Sequence, residues 1–223
     1  GHSVPGLMGS DDKGPTLVDE MIMPPIAHGV RHISVGQFVE GNAPVVWRGP
    51  MLTRAIQQFL ADVYWGDLDV LFMDLPPGTG DVAITVAQLV PNAELLIVTT
   101  PQAAAAEVAE RAGTIAQQTD QKIVGVVENM SGMTMPDGTV LNVFGEGGGE
   151  HVAERLTQLT DSDVELLGSV PLDPKLRETG DTGAPVVISD PESPAAKAVL
   201  SIVDKLKVRP DSLKGKSLNP QVK

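Results

Sequence analysis

Cysteine is absent from the 223 residues. The chain can therefore form no disulfide and offers no thiolate to a metal. Aromatic residues make up only 3% of it. With 42% hydrophobic residues, the core has to be aliphatic, built from Val, Leu, Ile, Ala and Met. Aliphatic strands of that kind suit a parallel sheet covered by helices on both faces. Positive charge is also scarce: 16 Lys and Arg stand against 29 Asp and Glu, a formal net charge of −13. A nucleic-acid surface needs a basic face, so that class of partner is excluded. A nucleotide needs only a local patch of N–H groups and one or two cations. There is no run of about 18 apolar residues and no signal-peptide pattern, so no membrane partner is expected and the cytoplasm is the expected location. The length suits one sizeable α/β domain or at most two small ones.

What is present alternates. Short apolar runs at Arg31–Val35, Val70–Asp74, Leu95–Thr99, Ile123–Val127 and Leu166–Val170 predict buried strands. Amphipathic segments at Met51–Trp65, Val82–Val90, Ala103–Gln117, Glu150–Leu159 and Ala195–Lys207 predict helices between and after them. This order implies an α/β fold with a doubly wound, mostly parallel sheet and helices on both faces. The domain is expected to span residues 1–208. Residues 209–223, with Pro210, Gly215 and Pro220, are expected to be a disordered tail. In open parallel sheets ligands sit beyond the carboxyl ends of the strands. Polar or backbone-shaping residues follow four of the strands: Asp74 onward, Thr100-Pro101, Glu128-Asn129 and Pro171-Leu172-Asp173.

The strongest local signal is Val70-Leu71-Phe72-Met73-Asp74-Leu75-Pro76-Pro77-Gly78-Thr79-Gly80-Asp81. Four apolar residues ending in Asp have the form of a Walker B strand. A carboxylate there can hold Mg²⁺, directly or through water. Gly78 and Gly80 let the backbone approach a γ-phosphate, and Asp74, Gly78, Thr79 and Gly80 become the candidate catalytic group. Asp81 also suits the cap of the following helix. The matching Walker A loop, Gly-x-x-x-x-Gly-Lys-Ser/Thr, is nowhere in the sequence. Gly215-Lys216-Ser217 only mimics it, since Pro210 occupies the place of the first glycine. Gly145–Gly149 lacks the Lys-Ser and reads instead as the opening of the Glu150 helix.

A resemblance accounts for these features. Val46–Met51, Gln58–Val63, Trp65–Asp69, Asp74–Asp81, Thr99–Gln102, Val127–Ser131, Phe144–Glu150 and Gly168–Asp173 occur in the order of the Mrp/NBP35 (ApbC-like) family. Over residues 1–207 the chain resembles these iron–sulfur carrier ATPases, which are deviant Walker A P-loop NTPases related to MinD and ParA. The resemblance implies ATP and Mg²⁺ as cofactors, a homodimer, and iron–sulfur apoproteins or scaffold proteins as partners. It implies that Gly1–Pro5 belong to switch I, which places Ser3 near the nucleotide, and that the first strand and P-loop precede residue 1. Asn129 resembles the residue that bonds the adenine edge. Pro171, Leu172 and Asp173 resemble the backbone lining the base, with Arg177 in the following loop, and Arg48 lies near a dimer face. ATP hydrolysis is expected of the full-length protein and not of this chain without its P-loop.

One departure is large. Where cluster-bearing members have Cys-Pro-x-Cys, this chain has Met135-Pro136-Asp137-Gly138. A thioether and a hydrogen cannot replace two thiolates on iron. Pro136-Asp137-Gly138 reads as a tight turn. A [4Fe-4S] cluster is thus implied by the family alone. Two functions stay open: an ATP-hydrolysing iron–sulfur carrier, or a MinD/ParA-like nucleotide switch that binds partner proteins and no cluster.

Overall fold

A three-stranded parallel sheet organises the carboxyl-terminal part of the chain. The computed structural model describes residues 2–38, 49–76, 81–102 and 105–206. It divides into two compact units, one within residues 1–78 and one within 79–206. The arrangement is α/β, as the strand–helix alternation predicts.

In the first unit the elements are small. Helix α1 (Val4–Leu7) precedes two antiparallel hairpins, β1 (Thr16–Val18) with β2 (Met21–Met23) and β3 (Ile26–Ala27) with β4 (Val30–Arg31). Both hairpins close through two-residue loops with positive φ, Asp19-Glu20 at 47° and 70° and His28-Gly29 at 51° and 79°. This is the twist that short hairpins require. A 3-10 turn (Val35–Phe38) follows, and then α2 (Gly49–Ala61). After α2 the chain turns back on β2: Ile22 donates to the Asp62 carbonyl at 2.8 Å, and Tyr64 donates to the Ile22 carbonyl at 2.8 Å.

Two strand expectations fail here. The Arg31–Val35 strand stops at Arg31. Local side-chain bonds compete with a ladder there, since the Ser34 N–H donates to Gln37 Oε1 at 2.9 Å and the Gly36 N–H donates to Ser34 Oγ at 3.2 Å. The Val70–Asp74 strand does not form either. The segment runs without ladder bonds, with Val70 and Phe72 exposed. An apolar run becomes a parallel strand only where neighbours accept and donate along it, and no strand pairs with it among the described residues.

The second unit follows the sequence closely. Its elements are α3 (Asp81–Leu89), β5 (Leu95–Thr99), α4 (Ala105–Thr119), β6 (Ile123–Ser131), β7 (Met133–Thr134), β8 (Val140–Leu141), α5 (Gly148–Thr160), β9 (Leu166–Pro171), α6 (Pro174–Asp181), α7 (Val186–Ser189) and α8 (Pro194–Lys205). The sheet order is β5-β6-β9, all parallel. Strand β6 lies in the centre and is buried continuously from Gly125 to Glu128. On one face Ala109, Ala112 and Ala116 of α4 and Val152, Ala153 and Leu156 of α5 cover Ile123 and Val126. On the other, Ala195 and Ile202 of α8 cover Val127, Leu167 and Val170. Small alanines on α4 let the helix sit close, and the aliphatic strand residues fill the layer. Helix α8 starts where Ser193 Oγ accepts the Ala196 N–H at 3.2 Å and Pro194 supplies a preset φ. Residues 209–223 lie outside the described residues, as does Arg48.

Candidate nucleotide site

Parallel register brings the carboxyl ends of three strands to one edge. Thr99 pairs with Glu128, Asn129 with Val170, and Ser131 with Pro171. Strand β6 runs past the predicted Val127 to Ser131, and its ladder with β9 skips Met130. Met130 has φ 60° and an exposed side chain. Asn129 is half-buried, and its Oδ1 accepts the Met130 N–H at 2.8 Å. Leu172 donates its N–H to the Ser131 carbonyl at 3.1 Å. The Asn129 amide and the Pro171-Leu172 backbone therefore lie on adjacent strand ends.

Asp173 has a further task. Its Oδ1 accepts the Lys175 N–H at 2.9 Å and its Oδ2 accepts the Ala195 N–H at 3.2 Å, so one carboxylate caps both α6 and α8. Its side chain is committed to these helices. Asp173→Ala should lower stability by about 1–3 kcal/mol, since two helix starts lose their acceptor. Chemical denaturation checks this, and an unchanged midpoint would show that water replaces both bonds. Arg177 sits on α6 with an exposed side chain, 3.9 Å from Glu178.

The glycine-rich segment closes the same edge. Helix α5 opens at Gly148 behind Gly147, whose φ is 80°. A Cβ on Gly148 would overlap the Thr100 carbonyl oxygen and stand 2.8 Å from Pro101 Cα. Helix and strand end thus approach backbone to backbone, which only glycine permits. Gly149 donates its N–H to Glu128 Oε2 at 2.8 Å within the buried edge. Spacing alone gave no reason to single out Glu128 beyond its place after a strand. The other residue that the sequence reading missed is Thr99, 4% exposed, whose Oγ1 finds no hydrogen-bond partner among the described residues. Such a buried hydroxyl costs about 1–3 kcal/mol unless a ligand or water meets it.

The remaining sequence candidates belong to other segments of the chain. Asp74 and Ser3 belong to the first unit, both exposed. Ser3 stands at the start of α1 with no side-chain cap bond. Gly78, Thr79 and Gly80 lie outside the described residues. Met135–Gly138 forms the turn of the β7–β8 hairpin, where Met135 donates its N–H to the Thr139 carbonyl at 2.8 Å and Gly138 has φ 85°. The Asp137 carboxylate accepts from the Thr139 hydroxyl at 2.6 Å and from its N–H at 2.9 Å. Those two bonds hold Asp137 below the usual carboxylate range, the hydroxyl being the larger cause.

Residues 1–207 match the model of the ParA family, described as NUBPL iron-transfer P-loop NTPase. The chain belongs to this family. The iron–sulfur cluster carrier protein of Mycobacterium tuberculosis is 67% identical over 98% of this chain and 57% of its own length. That of Synechocystis is 44% identical over 84% of this chain and 52% of its own length. The chain thus spans about half the length of the curated relatives it matches. Among solved structures, a nucleotide-binding protein from Archaeoglobus fulgidus in complex with ADP superposes with a TM-score of 0.69 at 33% identity, over 86% of this chain and 72% of that one. This ParA/NUBPL chain is thus similar in fold to that nucleotide-binding protein.

Proposed function

We propose that this chain is the switch and base-binding part of an ATP-hydrolysing iron–sulfur cluster carrier that acts as a cytoplasmic homodimer and loads clusters onto apoproteins. The observation that carries the reading is the alignment of the Asn129 amide with the Pro171-Leu172 backbone on adjacent strand ends. Family membership and relatives named as cluster carriers support it. In this reading Asn129 meets the adenine edge, and Pro171, Leu172 and the Asp173 backbone line the ring, with Arg177 beyond them. Ser3 belongs to switch I, and Gly78, Thr79 and Gly80 approach the γ-phosphate. Asp74 presents an exposed carboxylate, an oxygen donor of the kind Mg²⁺ takes, and would hold that ion directly or through water. Mg²⁺ held by Asp74 would help to neutralise the charge that develops as water attacks the γ-phosphorus and ADP leaves, together with a P-loop lysine that this sequence does not contain.

The cluster is cargo, and the hairpin does not fit it. Met135 and Gly138 offer no thiolate, and the sequence has no cysteine. This favours a second reading, a nucleotide switch of the MinD/ParA kind that binds partner proteins alone. Iron and sulfide analysis of the full-length protein after anaerobic reconstitution separates the two. The carrier reading expects stoichiometric cluster on ligands outside the hairpin, with no further iron gained by a Met135→Cys, Gly138→Cys variant. Failure of the wild type to take up iron, with uptake appearing only in that variant, would establish the switch reading.

A further inference from the structure

The carboxyl end of β6 carries two costly features on either side of Asn129. Glu128 precedes it. That residue is a carboxylate 6% exposed at the end of an apolar strand, where an aliphatic side chain would bury without cost. Met130 follows it with φ 60°, a region that an ordinary side chain holds only when its surroundings over-determine it.

Three bonds supply that constraint. Leu172 donates to the Ser131 carbonyl at 3.1 Å and fixes the chain beyond the bulge. Asn129 Oδ1 takes the Met130 N–H at 2.8 Å and fixes the bulged peptide. Gly149 donates to Glu128 Oε2 at 2.8 Å and fixes the chain before it. Only the last ties the strand to a different structural layer. The N–H groups at the start of the 13-residue α5 favour a negative charge, and the bond is charge-assisted. Gly149 reaches Glu128 because it lacks a side chain: a Cβ there would stand 2.8 Å from Glu128 Cβ.

We propose that Glu128 is a positioning residue for base recognition. By clamping the end of β6 to the start of α5, it holds the Asn129–Met130 peptide in its bulged form and so aims the Asn129 amide. The proposal rests on the reading of Asn129 as the adenine contact. Without the clamp, Met130 relaxes towards negative φ and the amide turns from the base edge. Contacts to phosphate do not depend on that rotation. The loss therefore falls on the choice between bases more than on nucleotide affinity as a whole.

The test uses the full-length protein and calorimetric titration with ADP and with GDP, comparing wild type, Glu128→Ala, Glu128→Asp, Glu128→Gln and Asn129→Ala. The ratio of the two affinities is the readout, since a merely structural defect would weaken both alike. Glu128→Ala and Glu128→Asp should each lose about tenfold in that ratio, the aspartate holding its carboxylate one methylene nearer the strand than Glu128 does. Glu128→Gln should keep it within about twofold, because its amide oxygen still accepts the Gly149 N–H. Should the alanine variant not fold, the aspartate variant decides. Retention of the ratio in Glu128→Asp while Asn129→Ala loses it overturns the role of Glu128 and leaves Asn129 in place. A loss in Glu128→Gln as deep as in the aspartate variant also overturns it, since the acceptor was kept. A wild type without adenine preference, or an Asn129→Ala variant that keeps one, overturns the reading of Asn129 itself.

Discussion

Titrated with Mg·ATP, the 223-residue chain should show no binding at low-micromolar concentrations, a loss of at least about a hundredfold against the full-length protein. The β- and γ-phosphates carry most of the ligand's charge. In P-loop proteins they rest on a ring of backbone N–H groups and a lysine, and Mg²⁺ bridges them. This sequence contains no Gly-x-x-x-x-Gly-Lys-Ser/Thr. The carboxyl edge of the sheet offers an amide, a backbone segment and a buried hydroxyl, which suit a neutral base and not a triphosphate. Isothermal titration of this chain checks the point. Low-micromolar affinity would mean that the strand ends of β6 and β9 and the Asp74 segment suffice, and that the phosphates are held by groups other than a P-loop.

In the full-length protein, Asp74→Asn should cut ATP turnover by about a hundredfold or more while changing nucleotide affinity only a few-fold. The substitution keeps size and hydrogen-bonding capacity and removes one negative charge. In the role proposed for Asp74, that charge would order Mg²⁺ and its waters against the phosphates. The base contacts proposed on β6 and β9 should not notice the change. Single-turnover hydrolysis beside equilibrium titration separates the two effects. Equal turnover in variant and wild type would move the magnesium carboxylate to another residue.

How much of this was legible in the sequence depends on what each element answers to. Leu95–Thr99 was read to the residue, because an aliphatic run between two amphipathic helices has only one place in a parallel sheet. Strand β6 outran its apolar run by four residues, since Glu128–Ser131 is kept in the ladder by pairing with β9 and not by hydrophobicity. The β1–β2 and β3–β4 hairpins were missed because their strands are two or three residues long and the first closes on Asp19-Glu20, which has no glycine to mark it. The Val70–Asp74 run shows the opposite error. Its composition states a preference for burial but says nothing about which strand it would pair with. Motif resemblance singled out Asn129 and Pro171–Asp173, which lie at adjacent strand ends. The double cap made by Asp173, the orphan hydroxyl of Thr99 and the Glu128–Gly149 bond were not. Each depends on a partner at least 20 residues away, or on the lack of one, and no local pattern encodes that.

The glycines from 145 to 149 are not equivalent as targets for genetic drift. A side chain added at Gly147 would meet open space, so that position constrains only a backbone angle, and Asn could serve there at modest cost. At Gly148 the obstacle is the main chain of Thr100 and Pro101, which has no rotamer to change. Every replacement there must push helix and strand apart, and compensation would need a second substitution that reshapes the Thr100-Pro101 turn. Position 148 is thus closed to single-step change, while its neighbour one residue earlier remains open to it.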